Sequence, residues 1–222
     1  MSALPERRLL SLDIEGQRLD GELCLPSGAK GLVLFVHGSG SGRLSPRNQR
    51  VASYFHGRGL GTLLFDLLSA EEQAIDELTR ELRFDIPLLT ARLLGVIDWL
   101  AATPTLAPLR LGLFGASTGA ASALKAAALR GTRVAALVSR GGRTDLAGEA
   151  LPAVTAPTLL IVGGEDRVVR TLNRQSGALL RCPHELAVVP GATHLFEEPG
   201  ALEQVARLAA DWFERYLSEA AA

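Results

Sequence analysis

Apolar positions fall into two rhythms along the chain. Six short runs carry no polar alternation: GLVLFVHG (31–38), GTLLFD (61–66), LRLGLFG (109–115), VAALVS (134–139), PTLLIVGG (157–164) and ELAVVPG (185–191). Unalternated runs of this length suit strands of a parallel sheet covered on both faces. Ahead of them, RLLSLDIEGQRLDGELCLP alternates in places and turns at Glu15–Gly16, the pattern of an antiparallel hairpin. Between the runs the period lengthens. Helices are expected over Pro46–Arg58, Arg83–Ala102, Thr118–Leu129, Thr171–Leu180 and Gly200–Leu217. Phe84, Leu88, Ala91, Leu94, Ile97 and Trp99 share one face of the second, and the third is small and apolar nearly all round, as a deeply buried helix is. Alternating strands and helices predict an α/β fold: a mostly parallel eight-stranded sheet with an N-terminal hairpin, helices on both faces and right-handed crossovers. No repeat or linker interrupts it, so residues 1–222 read as one domain.

Composition narrows the function without naming it. The chain is 47% hydrophobic and 21% charged with a formal net charge of −1, which offers no field for nucleic acid or an acidic membrane surface. No apolar run approaches the roughly 18 residues of a membrane span, and MSALPERRLL lacks a leader's apolar core. Cys24 and Cys182 stand far apart without metal-ligand spacing, which reads as two idle thiols in a reducing cytoplasm. Neither a cofactor nor a metal is expected, and a homo-oligomer is compatible with the sequence.

The stretch LGLFGASTGAASALKAAAL (111–129) could open either a nucleotide-binding loop or a nucleophile elbow. A dinucleotide fold wants G-x-G-x-x-G at its first strand–helix turn and an acidic residue about 20 positions on. This turn lies mid-chain, its glycines are Gly112, Gly115 and Gly119, and no Asp or Glu occurs from Ala120 to Thr144. The other glycine-rich turn, HGSGSGR (37–43), lacks the Lys-Ser/Thr of a phosphate loop. The elbow's demands are met: Gly115-Ala116-Ser117-Thr118-Gly119 is G-x-S-x-G between a buried strand and a buried helix. A serine hydroxyl needs a base to take its proton. Of four histidines, His37 more naturally shapes the glycine-rich loop, and His56 and His184 read as packing or surface residues. His194 sits in PGATHLFEEPG, a loop after the last strand. A carboxylate should fall between serine and histidine in chain order, and Asp166 in LLIVGGEDRVV does, with Glu165 as its neighbouring competitor.

With these residues in place the chain resembles the α/β-hydrolase superfamily, and within it the small dienelactone hydrolase-like branch. The hairpin, the HGSGSGR turn, the GASTG elbow, the GGEDRVV acid turn and the GATHLFEEPG histidine loop carry the likeness over essentially the whole chain. Dienelactone hydrolases carry Cys at the nucleophile position, where this chain has Ser117. The resemblance implies a Ser117–Asp166–His194 triad. The oxyanion donors it implies are the backbone N–H groups of Thr118 and Ser39, with Gly40 as a substitute for the latter.

Arg43, Arg140, Arg143 and Arg167 cluster near the expected active edge. Guanidinium groups there bind a substrate anion, Arg43 and Arg140 being the candidates, or tie loops to Glu71, Glu72, Asp145 or Glu197. Only Arg140 to Ala156 separates the sixth strand from the seventh, which leaves no room for a large lid, while Leu67–Leu82 is expected to add a small flap. The expected activity is a cytoplasmic serine hydrolase of small carboxylic esters, lactones or thioesters. The rivals are a short-peptide hydrolase and a non-catalytic binding protein of the same fold.

Overall fold

A computed structural model describes residues 6–218; the first five residues of MSALPERRLL therefore lie outside the described residues. The hairpin is β1 (Glu6–Ile14) and β2 (Gln17–Leu25), antiparallel from Glu6↔Leu25 to Ile14↔Gln17. Glu15 takes a positive φ of 53° and Gly16 one of 76°, the left-handed pair that closes a two-residue turn. The parallel strands are β3 (Leu32–Val36), β4 (Gly61–Phe65), β5 (Leu111–Ala116), β6 (Val134–Arg140), β7 (Thr158–Gly163) and β8 (His184–Val189). The sheet runs β1-β2-β4-β3-β5-β6-β7-β8. Every residue of β3, β4, β5 and β7 is buried, which explains their unalternated sequences.

The helices are α1 (Pro46–Gly57), α2 (Ala70–Thr79), α3 (Ile86–Ala102), α4 (Thr118–Arg130), α5 (Arg167–Gly177) and α6 (Ala201–Leu217). On one face α1 and α6 bury Phe55, Trp212 and Phe213 against Phe35, Phe114 and Val138 of the sheet. On the other, α3 and α4 set Leu93, Val96, Ile97 and Leu124 against Leu34, Leu113 and Leu137.

Two helices begin elsewhere than the periodicity predicts. α3 starts at Ile86, not Arg83, because Asp85 accepts the Leu88 N–H at 2.9 Å and caps it, while Leu82–Phe84 form a separate 3-10 turn. α5 starts at Arg167, four residues before Thr171, because the Asp166 carboxylate accepts the Val169 N–H at 3.3 Å. Arg140–Ala156 holds only 3-10 turns over Thr144–Ala153, kinked at Gly148. The flap region is α2, opened by a reciprocal capping box between Ser69 and Glu72. Both cysteines are free and buried. No helix among the described residues is long and apolar enough to cross a membrane.

β3 lies between β4 and β5, so the chain leaves β3 toward one edge and later returns on its other side. In open α/β sheets such a switch point leaves a crevice beyond the carboxyl ends of the two strands. The turn from Ser39 follows β3, and Ser117 follows β5.

Candidate active site

Ser117 links the last residue of β5 to the first of α4, at φ 49° and ψ −121°. A non-glycine residue seldom holds a positive φ, and the surroundings must over-determine it. They do so through close packing on either side. A Cβ on Gly115 would lie 2.6 Å from the Ala120 Cα, and one on Gly119 would lie 2.2 Å from the Val36 carbonyl oxygen. The elbow is also tied down by hydrogen bonds. Ser117 N–H donates to the Arg140 carbonyl at 3.2 Å, and the Ser117 carbonyl accepts the Arg143 N–H at 3.0 Å.

Asp166 follows β7 through Gly163 and Gly164, and its Oδ2 lies 2.6 Å from His194 Nδ1. The contact fixes the imidazole with Nδ1 toward the acid and Nε2 free to face the nucleophile. Glu165, the competitor, is exposed, and its backbone N–H holds the Ala192 carbonyl at 3.0 Å. The histidine loop is braced locally: Thr193 donates through both N–H (3.0 Å) and hydroxyl (2.5 Å) to Glu198 Oε1, holding that carboxyl below the usual range. Phe196 anchors it from beneath, fully buried at a positive φ of 55°. Gly141, the residue after β6, lies under the loop: a Cβ there would sit 3.5 Å from His194 Cε1. Ser117 and His194 thus both border the carboxyl end of β6, Ser117 through the Arg140 carbonyl and His194 through Gly141. No hydrogen bond joins the Ser117 hydroxyl to His194 among the described residues; catalytic hydrogen bonds are often long in enzymes without substrate.

The three remaining histidines are elsewhere. His37 is buried, accepts the Leu67 N–H on Nε2 and donates from Nδ1 to the Gly38 carbonyl, both at 3.0 Å. Burial pushes its pKa down, which keeps it the neutral brace of the glycine-rich turn. His56 meets the Thr62 hydroxyl at 2.7 Å, and His184 Nδ1 meets the Cys182 carbonyl at 3.0 Å.

Of the oxyanion candidates, Thr118 N–H is the first amide of α4, where the helix leaves its donors unpaired. The Ser39 N–H is engaged: it donates to Thr118 Oγ1 at 2.9 Å. No motif could reveal this bond, which joins positions 79 residues apart.

The arginines divide. Arg43 is committed to carboxylates, its N–H on Asp66 at 2.7 Å and its guanidinium on Asp66 and, at 3.4 Å, Asp20. Arg143 holds Asp145 at 2.8 Å, and the neighbouring Arg47 holds Glu197 at 2.8 Å. Arg140 has no carboxylate partner among the described residues, and one buried guanidinium nitrogen has no hydrogen bond. Its group lies 5.8 Å from the centre of the Phe114 ring, and burial together with the charge of Arg47 lowers its pKa to about 10. A cleft of about 940 Å³ borders the turn after β3, with Gln17, Arg18, Asp20, Ser39, Arg43 and Glu71 in its walls.

Comparison with known proteins agrees with this architecture. A sequence model of the dienelactone hydrolase family matches residues 53–219. The crystal structure of a dienelactone hydrolase from Anabaena variabilis is 53% identical and superposes with a TM-score of 0.96, covering 97% of this chain and 100% of that one. An esterase domain from Rhodothermus marinus shares the fold at 17% identity, with a TM-score of 0.75 over 96% of this chain and 100% of that one. A Mycobacterium tuberculosis protein named a putative phosphoribosyl transferase is 56% identical over 197 residues, 89% of this chain. The chain spans only 44% of that relative's length.

Proposed function

The chain belongs to the dienelactone hydrolase family, and we propose that it is a serine hydrolase of small carboxylic esters, lactones or thioesters, working through an acyl-enzyme on Ser117. The observation that supports this is a serine at positive φ on the strand–helix elbow, at the same sheet edge as a histidine held at 2.6 Å by a carboxylate. His194 takes the Ser117 proton as Oγ attacks the carbonyl carbon, and Asp166 steadies the imidazolium that forms. His194 then returns the proton to the leaving oxygen or sulfur, and water repeats the sequence to free the acid. Thr118 N–H stabilises the oxyanion from the helix N-terminus.

The turn after β3 ends in the cleft of about 940 Å³, whose mixed polar walls suit a polar leaving group. Arg140, half-buried with one buried guanidinium nitrogen that has no partner among the described residues, favours substrates that bring an anion to the site. The phosphoribosyl transferase name belongs to a relative more than twice as long. The residues assembled here support acyl transfer to water.

A fluorophosphonate probe tests the reading. It should label the wild-type protein at Ser117 and leave Ser117→Ala unlabelled, and that variant should lose ester turnover by several orders of magnitude. Unchanged turnover in Ser117→Ala would remove the mechanism, and a folded protein inert to probe and esters alike would favour the binding-protein alternative.

A further inference from the structure

The Ser39 N–H, the natural second donor to an oxyanion, points at the Thr118 hydroxyl instead, 2.9 Å away. The turn that carries it has little freedom to retreat. His37 pins its start through Gly38 and Leu67, and the Asp66 carboxylate pins its end through the Arg43 N–H. Gly38 is pressed so near the elbow that a Cβ there would lie 3.0 Å from the Ser117 Cβ. The bond between Ser39 and Thr118 is therefore part of a braced arrangement.

A threonine hydroxyl has one proton to donate and two lone pairs. Thr118 Oγ1 spends a lone pair on the Ser39 N–H, and its own O–H has no acceptor among the described residues. The side chain is buried and belongs to the residue whose backbone N–H is the unpaired first amide of α4. One residue thus brings two unspent donors to the position directly after the nucleophile. A hydroxyl that already accepts a hydrogen bond donates more strongly, because successive bonds polarise one another.

We propose that the Thr118 hydroxyl is the second oxyanion donor, acting beside the Thr118 N–H, with the Ser39 N–H behind it as the group that orients and polarises it. This rests on the reading of Ser117 as nucleophile. As Ser117 Oγ bonds to the carbonyl carbon, its proton passes to His194 and the C=O π pair moves onto the oxygen. Thr118 O–H hydrogen-bonds that oxygen and keeps its proton. When the tetrahedral intermediate collapses, the pair returns to re-form C=O and the leaving group departs with the proton from His194. The demand on position 118 is thus for a side-chain hydroxyl.

Thr118→Val removes the hydroxyl at nearly constant volume. It should lower kcat about 10²- to 10³-fold, the usual cost of one oxyanion donor, with KM changed by less than about threefold. Thr118→Ser should recover most of the lost rate. A trifluoromethyl ketone, whose serine adduct carries an oxyanion, should bind Thr118→Val more weakly by a factor similar to the loss in kcat. Thermal melting checks that each variant is folded, and Thr118→Ala serves in the same assays if the valine variant is not. Overturning results would be kcat and ketone affinity in the folded hydroxyl-less variant within about threefold of wild type or higher, or a serine variant as slow as the valine one. Wild-type protein that neither turns over esters nor acylates at Ser117 would sink the nucleophile reading and this role with it. Active wild type alongside an unimpaired Thr118→Val would sink this role alone.

Discussion

At the scale of single residues, each proposed chemical role rests on a contact that can be removed. Asp166→Asn keeps the shape of the contact with His194 but offers an amide where a carboxylate accepts the Nδ1 proton. Turnover should fall roughly 10⁴-fold while the protein still folds, as steady-state kinetics and circular dichroism would show. Arg140→Gln should lower kcat/KM for esters bearing a carboxylate more than for neutral ones of equal size. Equal losses on both would make Arg140 a purely structural cation resting on Phe114. The candidate triad was legible in the sequence because Ser117 and Asp166 follow buried strands and His194 follows the last strand, in the order the chemistry needs. The state of Ser39 was not legible, since it depends on which way a threonine hydroxyl points across the turn. Nor does spacing say which arginine lacks a partner: Arg43 and Arg140 look alike until Asp20 and Asp66 take up the first.

At the scale of elements, the strands are readable to within about two residues, because burial on both faces leaves no exposed position in β3, β4, β5 or β7. Helix starts were less so. Asp166 serves both as the partner of His194 and as the cap of α5, and a residue read for its chemistry hides its use as a helix start. For the proposed ester hydrolysis, the acyl preference should depend on the segment between β6 and β7. Its 3-10 turns over Thr144–Ala153 begin at the Arg143–Asp145 ion pair and turn Ala147 and Leu151 into the core. Each acyl methylene gains about 0.8 kcal/mol only where apolar walls surround it. Esters of about two to six acyl carbons should therefore have the highest kcat/KM, with no jump as substrate passes into micelles. A kcat/KM still rising at about twelve carbons would reveal a deep apolar channel.

At the scale of the whole molecule, the site is held by neutral imidazole as well as by packing. His37 and His56 both have pKa values lowered by burial, so the unfolded chain takes up protons that the folded chain refuses. Stability is then fully present above the ordinary histidine pKa of about 6.5 and falls as pH drops below it, by up to about 1.4 kcal/mol per pH unit for each histidine. Urea unfolding at a series of pH values from neutral to mildly acidic should show that decline, and His37→Gln should flatten it; a flat wild-type profile would contradict the bracing role. The proposed mechanism turns on one covalent event at the carboxyl edge of the sheet, which acid quenching can capture. Protein mixed with p-nitrophenyl acetate, quenched within the first turnover and digested for mass spectrometry, should carry one acetyl group, on the peptide containing Ser117. An acetyl group on any other residue, or full turnover with Ser117 never acylated, would contradict the account.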